Sequence, residues 1–170
     1  MGPTVLFVLL LAVRCSAQDN SSLVTFYSSG CKPPCANQPL AHVAGPAEAA
    51  YIGNIYDGPN RLAHLSSLQF LTFKLPSGAH SFDVDRKPTK QQLNAKLDPG
   101  KHYFIRATIL VGRGFLNFRG VTPSLDLVDC SVAASEGGNL KPVKPSKLKV
   151  TALSELVMTP GFPACEAPEK

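Results

Sequence analysis

The sequence predicts an all-β fold, an antiparallel β-sandwich of about seven to eight short strands. Three observations carry that prediction. Apolar and polar residues alternate through residues 70–111, one strand-turn-strand motif occurs twice inside that stretch, and 15 prolines and 13 glycines punctuate a chain of 170 residues. Alternation of period two puts one set of side chains on a buried face and the other in water. That density of proline and glycine suits strands and tight corners better than helices.

The motif Lys74-Leu75-Pro76-Ser77-Gly78-Ala79-His80-Ser81-Phe82 is echoed by Lys96-Leu97-Asp98-Pro99-Gly100-Lys101-His102-Tyr103-Phe104. Before the first turn, Leu71, Phe73 and Leu75 alternate with Thr72 and Lys74; after it, Phe82 and Val84 alternate with Ser81, Asp83 and Asp85. Leu93, Ala95 and Leu97 lead into the second turn, and Tyr103, Ile105, Ala107 and Ile109 share one face beyond it. Proline fixes φ near −65° and glycine tolerates positive φ, so both corners have turn chemistry. The stretch is read as two hairpins, four consecutive antiparallel strands, joined by the polar link 86–90.

Residues 5–13, VLFVLLLAV, are followed by Cys15-Ser16-Ala17-Gln18. A short apolar run with a small-x-small end predicts a secretory signal peptide over 1–17, cleaved after Ala17, although no Lys or Arg precedes the run. The run is too short to span a bilayer, and no transmembrane segment is expected after cleavage. Cleavage removes Cys15 and leaves Cys31, Cys35, Cys130 and Cys165. An even count in an exported chain points to disulfides, with three connectivities open. A bridge from Cys165 to Cys130 would tie the C-terminal tail to the body. Cleavage also removes Arg14, leaving 16 of 17 basic residues against 12 acidic ones, a net charge of +4. The charge is mild and forms no arginine-rich stripe with interleaved aromatics, so nucleic acid is not an expected partner.

In chain order, Leu23–Tyr27 is strand-like, and the loop from Ser28 through Cys31-Lys32-Pro33-Pro34-Cys35 is rigid. A strand over 49–58 ends in Asp57-Gly58-Pro59-Asn60, a strong turn, and Arg61–Leu65 returns from it. After Val111, Gly112-Arg113-Gly114 reads as a loop, and Leu125–Val128 as the final strand before Cys130. The sandwich domain is thus expected over 18–136. Residues 137–170 form a Pro/Lys-rich tail, whose Lys/Pro/Gly stretch at 137–147 predicts an extended, mobile linker. Residues 148–158 fit a strand or a short helix.

Three motifs are similar to those of a bacterial family of exported and lipoprotein-attached β domains, domain of unknown function 2846. They are Tyr56-Asp57-Gly58 with Arg61-Leu62-Ala63-His64-Leu65, Phe73-Lys74-Leu75-Pro76-Ser77-Gly78-Ala79-His80, and Leu97 through Arg106. The resemblance covers Ile55 to about Glu136, half the chain, and its turns are shared with transthyretin-like and PEGA-type surface domains. It implies a compact sandwich of the immunoglobulin or transthyretin kind and carries no catalytic residue over. Ser77 in place of a second proline, the two-cysteine loop at 31–35 and the basic tail depart from the family pattern.

Cys31 and Cys35, with His42, suggest soft-metal chemistry such as Cu(I) binding. The plainer reading, a disulfide closing a proline-stiffened loop, is the default for exported chains. His80 and His102 occupy matching places in the two motifs. They converge on a metal only if their strands are neighbours, and Asp83 is otherwise a solvated surface acid. No nucleophile elbow, His-Glu-x-x-His or phosphate loop occurs in the sequence. The expectation is therefore a secreted, periplasmic or cell-envelope module that is not an enzyme and needs no cofactor. Its ligand is unnamed, and an envelope or extracellular protein or a glycan would meet its loops at 28–48 and 112–122. The alternatives are copper binding by the Cys-x3-Cys loop, or an active site assembled from His80, His102 and Asp83.

Overall fold

The computed structural model describes residues 20–28, 51–85, 92–113, 119–144 and 155–165. The signal-peptide segment and Cys31, Cys35 and His42 lie outside these residues. The described residues form ten strands and one helix: β1 (Ser21–Ser28), β2 (Tyr51–Asp57), β3 (Asn60–Ser66), β4 (Gln69–Pro76), β5 (Gly78–Val84), β6 (Leu93–Leu97), β7 (His102–Arg113), β8 (Arg119–Val128), α1 (Cys130–Gly137), β9 (Lys141–Pro142) and β10 (Glu155–Val157).

Two sheets face each other. One has the order β10-β4-β1-β7-β8, with β9 also on β4; the other has the order β3-β2-β5-β6. The sandwich is confirmed, and pairing within it is mixed: β1 runs parallel to β7 and β9 parallel to β4, the remaining pairs being antiparallel. Phe26 sits at the centre of the core, edge-on to Phe73 and Phe82 at centroid distances of 6.4 and 5.1 Å. Val24, Ile55, Leu62, Leu65, Leu75 and Ile105 pack around it.

The two repeated motifs are not hairpins. After Pro76 the chain leaves the first sheet and enters the second as β5, and after Leu97 it crosses back as β7. Both motifs are arches over the core. The reason is occupancy: β1 lies on one edge of β4 and β9 and β10 on the other, so β5 has no place beside it. β7 is likewise flanked by β1 and β8. Only the middle pair of the four expected strands, β5 with β6, is hydrogen-bonded as an antiparallel pair. Glycine is required at the corners, where Gly78 and Gly100 have φ of +133° and +71°.

Other strands match their sequence patterns. Asp57-Gly58-Pro59-Asn60 turns β2 into β3, with Asp57 opposite Asn60. The expected loop at 112–122 is largely strand, because β7 and β8 stay paired out to Arg113 opposite Arg119. The stretch read as linker and tail joins the sandwich. Lys141 N donates to Leu68 O at 3.0 Å and Val143 N to Phe70 O at 2.9 Å, and β10 pairs with Lys74 through Thr72. Together β9 and β10 cover the free edge of β4, a place where an unpaired strand would otherwise invite aggregation.

Candidate functional site

Strands buried on both sides place a row of polar and aromatic side chains on the outer face of the larger sheet. Alternation sends Val24 and Phe26 of β1 into the sandwich core, so Thr25 and Tyr27 point the other way. Register then aligns Phe70, Tyr27, Arg106 and Asp126 in one row across β4, β1, β7 and β8. Over this row lie α1 and Phe162 of residues 155–165, a C-terminal strap that begins as β10 on the edge of β4. Phe162 of the strap inserts its ring among Tyr27, Phe70 and Phe104, at centroid distances of 5.4, 5.4 and 5.9 Å. Ala133 and Leu140 close the niche. Gly137 leaves room for the ring, since a methyl group there would overlap Phe162. The Cys130–Cys165 disulfide fastens the strap to the first residue of α1.

A polar cluster borders the niche. Tyr27 O–H donates to Glu136 Oε2 at 2.8 Å, and Arg106 Nη1 donates to Glu136 Oε1 at 3.3 Å. Arg106 Nη2 also lies 3.9 Å from Asp126 Oδ2. Each oxygen of Glu136 thus has a donor, as a mostly buried carboxylate requires. Burial, followed by the hydrogen bond to and charge of Glu136, pushes the Tyr27 phenol well above its ordinary range. The sign follows directly. The folded state keeps the Tyr27 proton where the unfolded chain begins to lose it, so stability is complete below about pH 10 and falls as pH rises beyond that. Alkaline chemical-denaturation series are expected to lose up to about 1.4 kcal/mol per pH unit above pH 10 from this group, a slope absent in Tyr27→Phe.

Both sequence-flagged histidines are structural fasteners. His80 Nδ1 lies 2.7 Å from Asp57 Oδ2 and Nε2 lies 2.8 Å from Pro76 O. The ring joins the β2–β3 turn to the first arch and stacks on Phe82 at 5.6 Å. His102 Nε2 is 2.8 Å from Thr25 Oγ1, which is 2.8 Å from Thr72 Oγ1, and the ring stacks on Phe104 at 4.3 Å. Each copy of the motif therefore places a histidine against the aromatic ring two residues further on.

His80 and His102 stand on strands of different sheets, so the condition for a shared metal is not met. Asp83 Oδ1 accepts from Val84 N at 2.6 Å. Among the described residues no three His, Cys, Asp or Glu side chains gather into a ligand set. One hollow about the size of a water molecule lies where the strap meets β4, lined by Phe70, Leu71, Thr72, Val143, Leu156 and Thr159. Neither His80, His102 nor Asp83 lines it.

Tyr27, Arg106 and Glu136 were not legible as a group. Tyr27 reads as one more aromatic strand residue, and the three come together from positions 27, 106 and 136. Of the four cysteines expected to pair, Cys130 and Cys165 are joined. No protein-family model matches the chain, and neither a curated protein nor a solved structure is similar to it.

Proposed function

We propose that this chain is an exported β-sandwich that works by presenting a surface to an envelope or extracellular partner, protein or glycan, rather than by chemistry. The observation that carries this reading is the Cys130–Cys165 disulfide, because such bridges persist in oxidising compartments and are rare in reducing ones. It agrees with the apolar run at 5–13 ending in Cys15-Ser16-Ala17.

The fold also supplies a rigid platform. A second apolar cluster, Tyr27, Phe70, Phe104, Ala133 and Leu140, supports the sheet from behind. The β7–β8 ladder continues from Ala107 opposite Leu125 to Arg113 opposite Arg119, seven residue pairs beyond the last β1 partner at Arg106. A two-stranded arm on a stiff base is a suitable contact element.

The test is secretion of the full chain from a bacterial host, with intact mass and thiol count. The expected product begins at Gln18 and has the Cys130–Cys165 bridge closed. A product that keeps Met1 and stays in the cytoplasm with reduced thiols overturns the reading. Two free thiols that become protected on adding Cu(I) transfer support to metal handling by Cys31, Cys35 and His42.

A further inference from the structure

We propose that the Cys130–Cys165 disulfide is a redox latch: its reduction releases the C-terminal strap from the outer face of the larger sheet while the sandwich stays folded. The strap is lightly held apart from that bond. Its main non-covalent attachments are the three-residue strand β10 against β4, with Leu156 on the core, and the ring of Phe162 in its niche; Val157 and Thr159 also face Phe70 through Thr72. Met158, between them, is half exposed, and Cys165 is exposed to solvent, where a thiolate can reach it. The sandwich core, by contrast, draws its buried members from β1 to β8 together with Val143, and Leu156 is the one strap residue packed against it. Loss of the strap therefore leaves Phe26, Phe73 and Phe82 in contact.

The chemistry balances with a dithiol as the reductant. Its thiolate attacks one sulfur, a mixed disulfide forms, and the second thiol displaces the remaining sulfur. Two electrons and two protons pass to Cys130 and Cys165, and the dithiol becomes a disulfide. The bridge closes a loop with a sequence separation of 35 residues, so opening it frees the strap to leave as a unit. Departure uncovers Tyr27, Phe70 and Phe104 and strips β10 from the edge of β4. A ring that shields the Tyr27 phenol is then gone, which gives the latch a spectroscopic reporter. The inference does not depend on export, since it concerns the response of the folded chain to a reductant.

The experiment compares the full chain oxidised, reduced with dithiothreitol, and as Cys165→Ser, by hydrogen exchange and by ultraviolet titration of tyrosinate. Cys165→Ser separates this bridge from Cys31 and Cys35, and Tyr27→Phe assigns the titration. The expected result is amide exchange at least about tenfold faster over 155–165, unchanged protection in β1, β4 and β7, and Tyr27 ionising at lower pH. Reoxidation of the wild type restores all three. Unchanged strap protection after a thiol count proves reduction overturns the proposal. Loss of protection throughout β1, β4 and β7 also overturns it, because the bridge would then be a staple of the whole fold.

Discussion

Phe26→Ala is expected to destabilise the protein by about 3–5 kcal/mol, the usual cost of removing a core phenylalanine that cannot be refilled. Phe26 is fully buried, sits opposite Leu71 on β4 and Ile105 on β7, and meets Phe73 and Phe82 edge-on. Those contacts join the two sheets, since Phe73 belongs to one and Phe82 to the other. Edge-to-face pairs add to the transfer term, and strands on either side of β1 restrain collapse into the hole. For a chain of this size the melting temperature should fall by roughly 10 °C. Denaturant melts followed by circular dichroism check it. A loss under about 1 kcal/mol would mean that the three rings are not packed as described.

Gly137→Ala should give the second large effect, and its sign should depend on Phe162. Alanine is favoured over glycine by up to about 1 kcal/mol in a helix interior, and by less at the last residue of α1, where Gly137 sits. Here the added methyl would occupy the space of the Phe162 ring, which must move away. Undocking this partly buried aromatic costs about 2 kcal/mol in lost burial, so the collision outweighs the propensity gain. The substitution is expected to destabilise by about 1–2 kcal/mol in the wild type. In a Phe162→Ala background the collision is gone and the same substitution should become neutral or stabilising. A double-mutant cycle measured by urea unfolding reads that reversal as a coupling energy. Additivity would show that the ring is not seated over Gly137.

Much of the fold was legible because burial imposes a period on each strand. Leu71, Phe73 and Leu75 of β4, Phe82 and Val84 of β5, and Ile105 and Ala107 of β7 are all buried as their alternation predicts. Alternation reports which face of a strand is covered; it carries no information about which strand lies beside it. An arch and a hairpin turn the same side chains inward, so Pro76–Gly78 and Asp98–Gly100 looked like hairpin turns and are crossings. The edges of β4 and β7 are filled by β1, β8, β9 and β10, and those choices are made by residues far off in sequence.

The helix was missed for a different reason. Cys130–Gly137, CSVAASEG, has no apolar stripe, its larger apolar residue Val132 is exposed, and Ala133 supplies its contact with the niche. Local signals did exist: Asp129 precedes it and Gly138 follows, the pattern of a helix start and stop. Phe162 was hidden by its setting, Thr159-Pro160-Gly161-Phe162-Pro163, which reads as an irregular end. A single ring can anchor such a segment without any periodic pattern. The polar cluster was equally silent, because Tyr27, Arg106 and Glu136 become neighbours only after β1, β7 and α1 have stacked.

The placement of β1 has a kinetic consequence. This strand is synthesised before either of its partners, yet it lies between β4 and β7 and is covered on both faces. Thr25 meets Thr72 across a separation of 47 residues and His102 across 77. Until residue 106 has been synthesised, one edge of β1 has no partner strand, and no local turn brings one to it. Topologies of this kind close loops before contacts reward them, so folding should be slow relative to a meander of equal size. Vectorial synthesis offers β1 no early refuge, and the waiting strand is the segment a chaperone would be expected to shield.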